Sequence, residues 1–138
     1  MRQSEPRELR YDGVHCNLAL RQLVPGVIVL KISGTDIGEF GNEPMSVLST
    51  WVAGENLVEL FIDAREVQGA SIDVSGEWAQ WLAKNSGRFR AVTMLTGSRF
   101  IQVTAEFVRR FADLKGVMKI SSDPAAFESA LAMALDAQ

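Results

Sequence analysis

Cysteine and histidine are nearly absent from this sequence, which contains only Cys16 and His15. A single cysteine excludes a disulfide within the chain and fits a reducing compartment such as the cytoplasm. One histidine and one cysteine are too few for the zinc sites that these side chains usually build. The two residues are neighbours, so on a strand they point to opposite faces and cannot act as a catalytic pair. We therefore expect no metal site and no cofactor.

Long apolar runs and clusters of basic residues are also missing. A membrane-spanning helix needs about 20 consecutive apolar residues, and no stretch of the chain approaches that length. The charged N-terminus has no following apolar core of a signal peptide, which predicts a cytoplasmic protein. The 14 Lys and Arg residues are scattered and are outnumbered by 17 Asp and Glu residues. We therefore expect no nucleic-acid-binding surface.

The alternation of apolar segments along the rest of the sequence is typical of one α/β domain. The length of 138 residues suits a domain with a single hydrophobic core. We expect residues 1–12 to form a flexible N-terminal segment and residues 13–138 to form the domain. Apolar residues alternate from Val14 to Leu20, and Val27–Ser33 is a β-branched run, which together predict an antiparallel hairpin.

After this hairpin the sequence predicts helices and strands in alternation, in the overall order β-β-α-β-α-β-α-β-α. Such alternation requires crossover connections and therefore a mixed, mostly parallel sheet, here of about five strands with about four helices. The later strands are predicted at 57–62, 91–95 and 117–120, and the helices at 42–54, 73–85, 103–114 and 122–134.

The stretch around residue 60 is the most informative about family. Leu57–Asp63 is an apolar strand that ends in aspartate, Val67 lies in the loop after it, and Ile72–Gly76, with the sequence Ile-Asp-Val-Ser-Gly, opens the next helix. This stretch and the order of elements resemble STAS domains, which include the bacterial anti-sigma-factor antagonists and the SpoIIAA-like proteins. The resemblance covers about residues 13–136 and describes a divergent member, because Val74 stands where the family has its first serine.

The resemblance implies a non-enzymatic regulatory module that binds a protein partner, such as an anti-sigma factor or a kinase-like protein, under the control of serine phosphorylation. In phosphorylated members the acceptor is the serine directly before the glycine, which is Ser75 here, and Ser71 is the second candidate. The free N–H groups and the dipole at the start of a helix stabilise an added phosphate. The alternative is that Ser71 or Asp73 caps the helix and that Ser75 is an ordinary first-turn residue.

Polar side chains at the predicted carboxyl edge of the sheet form a second candidate site, for a protein partner or an anion. The carboxyl ends of parallel strands are the usual binding edge of such sheets, and an arginine beside helix N–H groups can hold a phosphate or carboxylate. The alternatives are a capped turn with an exposed arginine and an aspartate that only organises its loop. The candidate residues are Asp63, Arg65, Asp73, Thr96, Ser98 and Arg99.

Aromatic residues at helical spacing suggest an apolar pocket. Trp78, Phe107 and Phe111 would wall it in a small-molecule or lipid sensor, which is the alternative function that SpoIIAA-like folds suggest. The same spacing is also typical of an ordinary helix core. An exposed edge strand or an apolar helix patch would allow a homodimer. No nucleophile is paired with a base in the sequence, so we expect no enzymatic activity.

Overall fold

A six-stranded mixed sheet forms the centre of the computed structural model, which describes residues 7–137. Four α-helices accompany it in this part of the chain. The strands are β1 (Arg7–Asp12), β2 (Cys16–Val24), β3 (Val27–Asp36), β4 (Val58–Ala70), β5 (Phe89–Leu95) and β6 (Met118–Ser121). The helices are α1 (Glu43–Ala53), α2 (Ile72–Lys84), α3 (Arg99–Phe111) and α4 (Pro124–Asp136).

The strands follow one another across the sheet in chain order, from β1 to β6. The pairs β1–β2 and β2–β3 are antiparallel, and the pairs β3–β4, β4–β5 and β5–β6 are parallel. Helices α1, α2 and α3 make the crossovers between the parallel strands, as the alternating pattern requires. The predicted mixed, mostly parallel α/β sheet is therefore confirmed, with one strand more than expected.

The additional strand is β1, which corrects the prediction of a flexible segment up to residue 12. Arg7 lies opposite Gln22 and Asp12 opposite Asn17, so the whole of β1 pairs with β2. Tyr11 also packs on Phe40, with 5.5 Å between the ring centroids. The segment is polar because β1 is an edge strand, where charged side chains protect the unpaired backbone from other chains. Residues 1–6 of the predicted flexible segment lie outside the described residues.

Strand β4 is also longer than predicted, at 13 residues. Residues 64–70, which we expected to form a loop, continue the pairing with β3 until Ala70 lies opposite Asp36. The pairing of β4 with β5 ends earlier, where Asp63 lies opposite Leu95. Strands β3 and β4 thus project as a two-stranded extension beyond the carboxyl end of β5.

The helices cover the two faces of the sheet unequally. Helices α1, α2 and α3 pack on one face over a large core that includes Leu30, Leu60 and Val92. Of the helices in residues 7–137, only α4 packs on the other face, where Phe127 meets Phe61 edge to face with 5.8 Å between the ring centroids. Since both rings are buried, this contact holds α4 on the sheet.

We predict that Phe127→Ala lowers the free energy of unfolding by about 3–5 kcal/mol, since it removes a buried ring and leaves a cavity under α4. Urea denaturation measures the change. Met133→Ala is the matched control, because Met133 lies on the same helix but is exposed, and it should change stability by less than about 0.5 kcal/mol. Equal effects of the two substitutions would contradict the role given to Phe127.

Candidate functional site

A cavity of about 110 Å³ lies between the sheet and helices α2 and α3. Its floor is formed by side chains of the parallel strands, and its walls by the inner faces of the two helices. The floor includes Leu30, Leu60 and Met94, and the walls include Trp81, Ile101 and Val108. The deep lining is therefore apolar, and these residues are buried except for the partly buried Met94, as expected where a parallel sheet meets amphipathic helices.

The mouth of the cavity lies near the carboxyl edge of the sheet. The lining residues Asp36, Ser75, Trp78 and Thr104 are half-buried there, in contrast to the buried lining below. The indole Nε1–H of Trp78 donates a hydrogen bond of 3.4 Å to Asp36 Oδ2, which links α2 to the end of β3. These polar residues border the opening, but the surface that the cavity itself exposes is apolar.

The start of α2 places Ser75 at this mouth. Ser71 caps the helix, because its Oγ accepts a hydrogen bond of 3.2 Å from the N–H of Val74. Ser75 follows in the first turn, and its own N–H donates to the Ser71 carbonyl oxygen. The capping role that we gave to Ser71 as the alternative is therefore seen. The hydroxyl of Ser75 has no hydrogen-bond partner within residues 7–137.

Asp63 and Arg65 lie on the opposite face of the sheet, beside α4. Asp63 Oδ1 accepts hydrogen bonds from Arg65 Nε at 2.9 Å and from Arg65 N at 3.3 Å. Arg65 Nη2 donates to Glu128 Oε1 on α4 at 3.1 Å. The hydrogen bond to Asp63, and then the neighbouring Glu128, raise the pKa of Arg65. Because its guanidinium already faces two carboxylates, Arg65 is poorly placed to hold a further anion.

Thr96 and Ser98 organise the turn before α3. Thr96 Oγ1 accepts from the N–H of Ser98 at 3.2 Å, and Ser98 Oγ caps α3 by accepting from the N–H of Ile101 at 3.3 Å. Arg99 is exposed at the first position of α3, and Asp73 is exposed in the first turn of α2. The six predicted anion-site residues therefore do not converge on one point, because Asp63 and Arg65 turn to α4 while the others border the starts of α2 and α3.

Of the three aromatic residues predicted to wall an apolar pocket, Trp78 lines the cavity. Phe107 and Phe111 do not line it, so the prediction was wrong for these two residues. Helix α3 turns Ile101, Ala105 and Val108 towards the sheet. Phe107 and Phe111 lie on its opposite side and are exposed. Both sides of α3 carry apolar residues at helical spacing, so the spacing alone did not distinguish the inner face.

Comparisons with known proteins identify the fold. No family model and no curated protein matches the sequence. Solved structures do match, among them a DUF3478-family protein with a SpoIIAA-like fold from Shewanella loihica PV-4, at a TM-score of 0.64 and 16% identity over 88% of this chain and 98% of that one. This chain has a SpoIIAA-like fold.

Two further structures support the SpoIIAA-like fold. An anti-sigma factor antagonist from Mycobacterium paratuberculosis matches with a TM-score of 0.51 and 13% identity, over 91% of this chain and 93% of that one. The anti-sigma factor antagonist SpoIIAA in its unphosphorylated form matches with a TM-score of 0.50 and 12% identity, over 82% and 95% of the two chains. The family resemblance seen in the sequence is thus confirmed at the level of the fold.

Two further properties of the SpoIIAA-like domain follow from residues 7–137. No three His, Cys, Asp or Glu side chains of this part are grouped closely enough to hold a metal ion. None of its helices is both long enough and apolar enough to cross a membrane.

Cys16 lies buried near the acidic loop that follows β3 in the SpoIIAA-like domain. Burial first, and then the charges of Asp36 and Glu39, raise the pKa of its thiol to about 11. Glu39 is held in place because its two carboxylate oxygens accept hydrogen bonds of 2.8 and 2.9 Å from the N–H groups of Val14 and His15. The thiol is therefore neutral, and so unreactive, at neutral pH.

We predict that iodoacetamide labels Cys16 of the folded protein about a hundredfold more slowly than free cysteine at pH 8, because the thiolate is the reacting form. The rate should rise with pH up to about 11. The pKa of the thiol is 9.0 in the unfolded chain and about 11 in the folded protein. The free energy of unfolding should therefore decrease as the pH rises from about 9 to about 11. The urea-denatured protein is the control and should react like free cysteine, whereas equal rates in both states would contradict the buried thiol.

Proposed function

We propose that this protein is a regulatory binding protein that senses a small apolar molecule in the cavity and signals its presence to a protein partner. The observation that carries the proposal is the apolar cavity of about 110 Å³ under α2 and α3. Close-packed protein interiors contain few voids larger than a water molecule, since an empty void forfeits dispersion contacts. An apolar cavity of roughly 150 Å³ is known to stay dry and to bind benzene, so the part of the ligand buried in this smaller cavity of about 110 Å³ is no larger than a benzene ring.

The lining of the cavity favours a neutral, apolar ligand. The surface that the cavity exposes is apolar throughout. Both carboxylate oxygens of Asp36 already accept hydrogen bonds, from Gly38 and Trp78, and the Thr104 hydroxyl donates to the Phe100 carbonyl oxygen. A charged group would lose its hydration in this cavity without a compensating hydrogen bond, so we propose a small uncharged ligand with an aromatic or aliphatic body. A long-chain fatty acid would be disfavoured by both its size and its charge.

The protein partner is supported by the fold and by the location of the cavity. Two of the structures that share this fold are described as anti-sigma factor antagonists. The first turn of α2 contributes Ser75 to the mouth and exposes Asp73, and Glu77 is exposed in the next turn. A ligand that fills the cavity changes the packing of α2, and with it the surface offered to the partner. The proposal is therefore one of binding in the cytoplasm, without catalysis.

We predict that benzyl alcohol at millimolar concentration raises the melting temperature and changes the fluorescence of Trp78 and Trp81, which line the cavity. Benzoate should do neither, because Asp36 repels it. Ala105→Leu should abolish the effect of benzyl alcohol by filling the cavity from α3, whereas Gln102→Leu on the exposed side of the same helix should preserve it.

Asp36→Asn is the control for charge selectivity. It should reduce the difference between the melting-temperature shifts that benzyl alcohol and benzoate cause. Binding of benzyl alcohol that persists unchanged in Ala105→Leu would place it outside the cavity. The absence of any response to benzyl alcohol in the unmodified protein would contradict the proposed ligand class.

Phosphorylation of Ser75 is the second candidate function. It is supported by the half-buried position of Ser75 in the first turn of α2 and by its place in the Ile-Asp-Val-Ser-Gly sequence. A phosphate there would stand beside Asp36 at the mouth of the cavity and near the exposed Asp73 and Glu77. Added negative charge would repel these carboxylates and obstruct the mouth. Phosphorylation would therefore oppose binding of the ligand.

We predict that mass analysis of the protein from its own cells finds phosphate on the peptide that contains Ser75. The phosphate should be lost in Ser75→Ala and retained in the matched control Ser71→Ala. Loss in Ser71→Ala alone would identify Ser71 as the acceptor. The absence of phosphate under several growth conditions would contradict this candidate and leave the ligand proposal standing.

A further inference from the structure

Four large apolar side chains form an exposed ridge along the outer side of α3, which we call the α3 ridge. It consists of Phe100, Val103, Phe107 and Phe111, which are each between 54% and 65% exposed. At about 100° of rotation per residue, the four side chains fall within a stripe about 80° wide. The rings of Phe107 and Phe111 stack with 6.2 Å between their centroids. The α3 ridge is therefore a narrow aromatic strip rather than scattered surface hydrophobicity.

The α3 ridge is not needed to hold the helix on the sheet. The inner side of α3 makes that contact through Ile101, Ala105 and Val108. Three phenylalanines that are more than half exposed leave roughly 300 Å² of aromatic surface in contact with water. Apolar patches of this size on soluble proteins are often functional, so we looked for the chemistry of an occupant in the charges beside the ridge.

Basic residues are concentrated in the part of the chain that carries the ridge. Although they occur along the whole sequence, residues 84–119 contain 8 of the 14 Lys and Arg residues but only 2 of the 17 Asp and Glu residues, Glu106 and Asp113. Glu106 is paired with Arg109 in the same helix. This part of the chain is therefore positive, although the whole chain has a formal net charge of −3.

The basic residues nearest to the ridge in the sequence are exposed and take part in no salt bridge within residues 7–137. They are Arg99, Arg110 and Lys115. Helical spacing places Arg99 and Arg110 on the same side of the ridge, beside Val103. Lys115 follows the last turn of α3, where Asp113 is the exposed acid. The α3 ridge thus has a basic border along one side and a net basic end.

We propose that the α3 ridge binds an acidic amphipathic helix of a protein partner. The stripe has the narrow width of a seam between two packed helices. Residues that flank such a seam select the partner by their charge, so the basic border selects a helix with acidic flanks. An anionic bilayer is a poorer fit, because its recognition uses clusters of about four to eight Lys or Arg residues. This inference depends neither on the cavity ligand nor on Ser75.

The size of the ridge sets the expected strength of binding. From Phe100 to Phe111 it extends about 16 Å along the helix axis, so a partner helix of about three turns covers it. A stable interface buries about 800 Å² on each partner, whereas the ridge supplies roughly 300 Å² of aromatic surface. We therefore expect reversible binding with a Kd on the order of ten micromolar.

Fluorescence anisotropy with two labelled helical peptides tests the proposal on the full chain. Each peptide has about 20 residues with Leu at its a and d positions. The acidic peptide has Glu at the flanking e and g positions, and the matched control peptide has Lys there. At low salt the acidic peptide should bind at least about tenfold more tightly than the control, and high salt should reduce this difference.

Two double variants test the surface and its charge. Phe107→Ser, Phe111→Ser should raise the Kd of the acidic peptide at least about tenfold, whereas Met133→Ser, at a similarly exposed position on α4, should leave it unchanged. Arg99→Glu, Arg110→Glu should reverse the preference, so that the Lys peptide binds more tightly. Because all four side chains are exposed, the melting temperature should change little. A general loss of structure would instead weaken both peptides alike.

Each contrary outcome overturns a defined part of the proposal. An acidic peptide that does not bind at millimolar concentration contradicts the helix as the occupant, and equal affinity for both peptides contradicts the role of the basic border. Binding that survives Phe107→Ser, Phe111→Ser lies elsewhere on the protein. Cosedimentation with phosphatidylglycerol vesicles that this variant abolishes would assign the ridge to a membrane surface. A dimer in sedimentation equilibrium that this variant abolishes would assign it to a second copy.

Discussion

The parallel pairing of β3 with β4 is the interaction on which the rest of this structure depends. It runs the full length of both strands, to Asp36 opposite Ala70, and continues beyond them through the hydrogen bond from Ser71 N to the Asp36 carbonyl oxygen. Because β5 stops opposite Asp63, α2 starts farther out than α3 relative to the sheet. The cavity lies between these two offset helices and the apolar floor formed by the parallel strands.

Helix α3 carries the consequences of this geometry on two faces. Its inner face walls the cavity through Ile101, Ala105 and Val108, and its outer face exposes Phe100, Phe107 and Phe111 to solvent.

The sequence predicted the features that depend on local pattern and missed those that depend on contacts between distant residues. The near-continuous apolar run of β4 revealed a buried parallel strand, and Ser71 was recognisable as a possible cap. Strand β1 was missed because an edge strand is polar and only its pairing with β2 makes it a strand. The role of Asp36 was not visible, because its partner Trp78 is 42 residues away. The inner face of α3 was ambiguous because both faces are apolar.

The mouth of the cavity shows why a shared fold does not determine a shared mechanism. The resemblance implies that Ser75 receives phosphate, yet here the serine borders an apolar cavity and stands near Asp36. The arginine that the sequence offered beside helix N–H groups, Arg99, is exposed at the first position of α3, whereas Arg65 is paired with Asp63 and Glu128 on the opposite face. The N–H groups of Val74 and Ser75 already donate to Ser71, so a phosphate on Ser75 would find few free donors in the first turn of α2. An apolar ligand needs no such donors, because the cavity exposes only apolar surface. The local chemistry therefore suits an apolar ligand in the cavity better than a phosphate at its mouth.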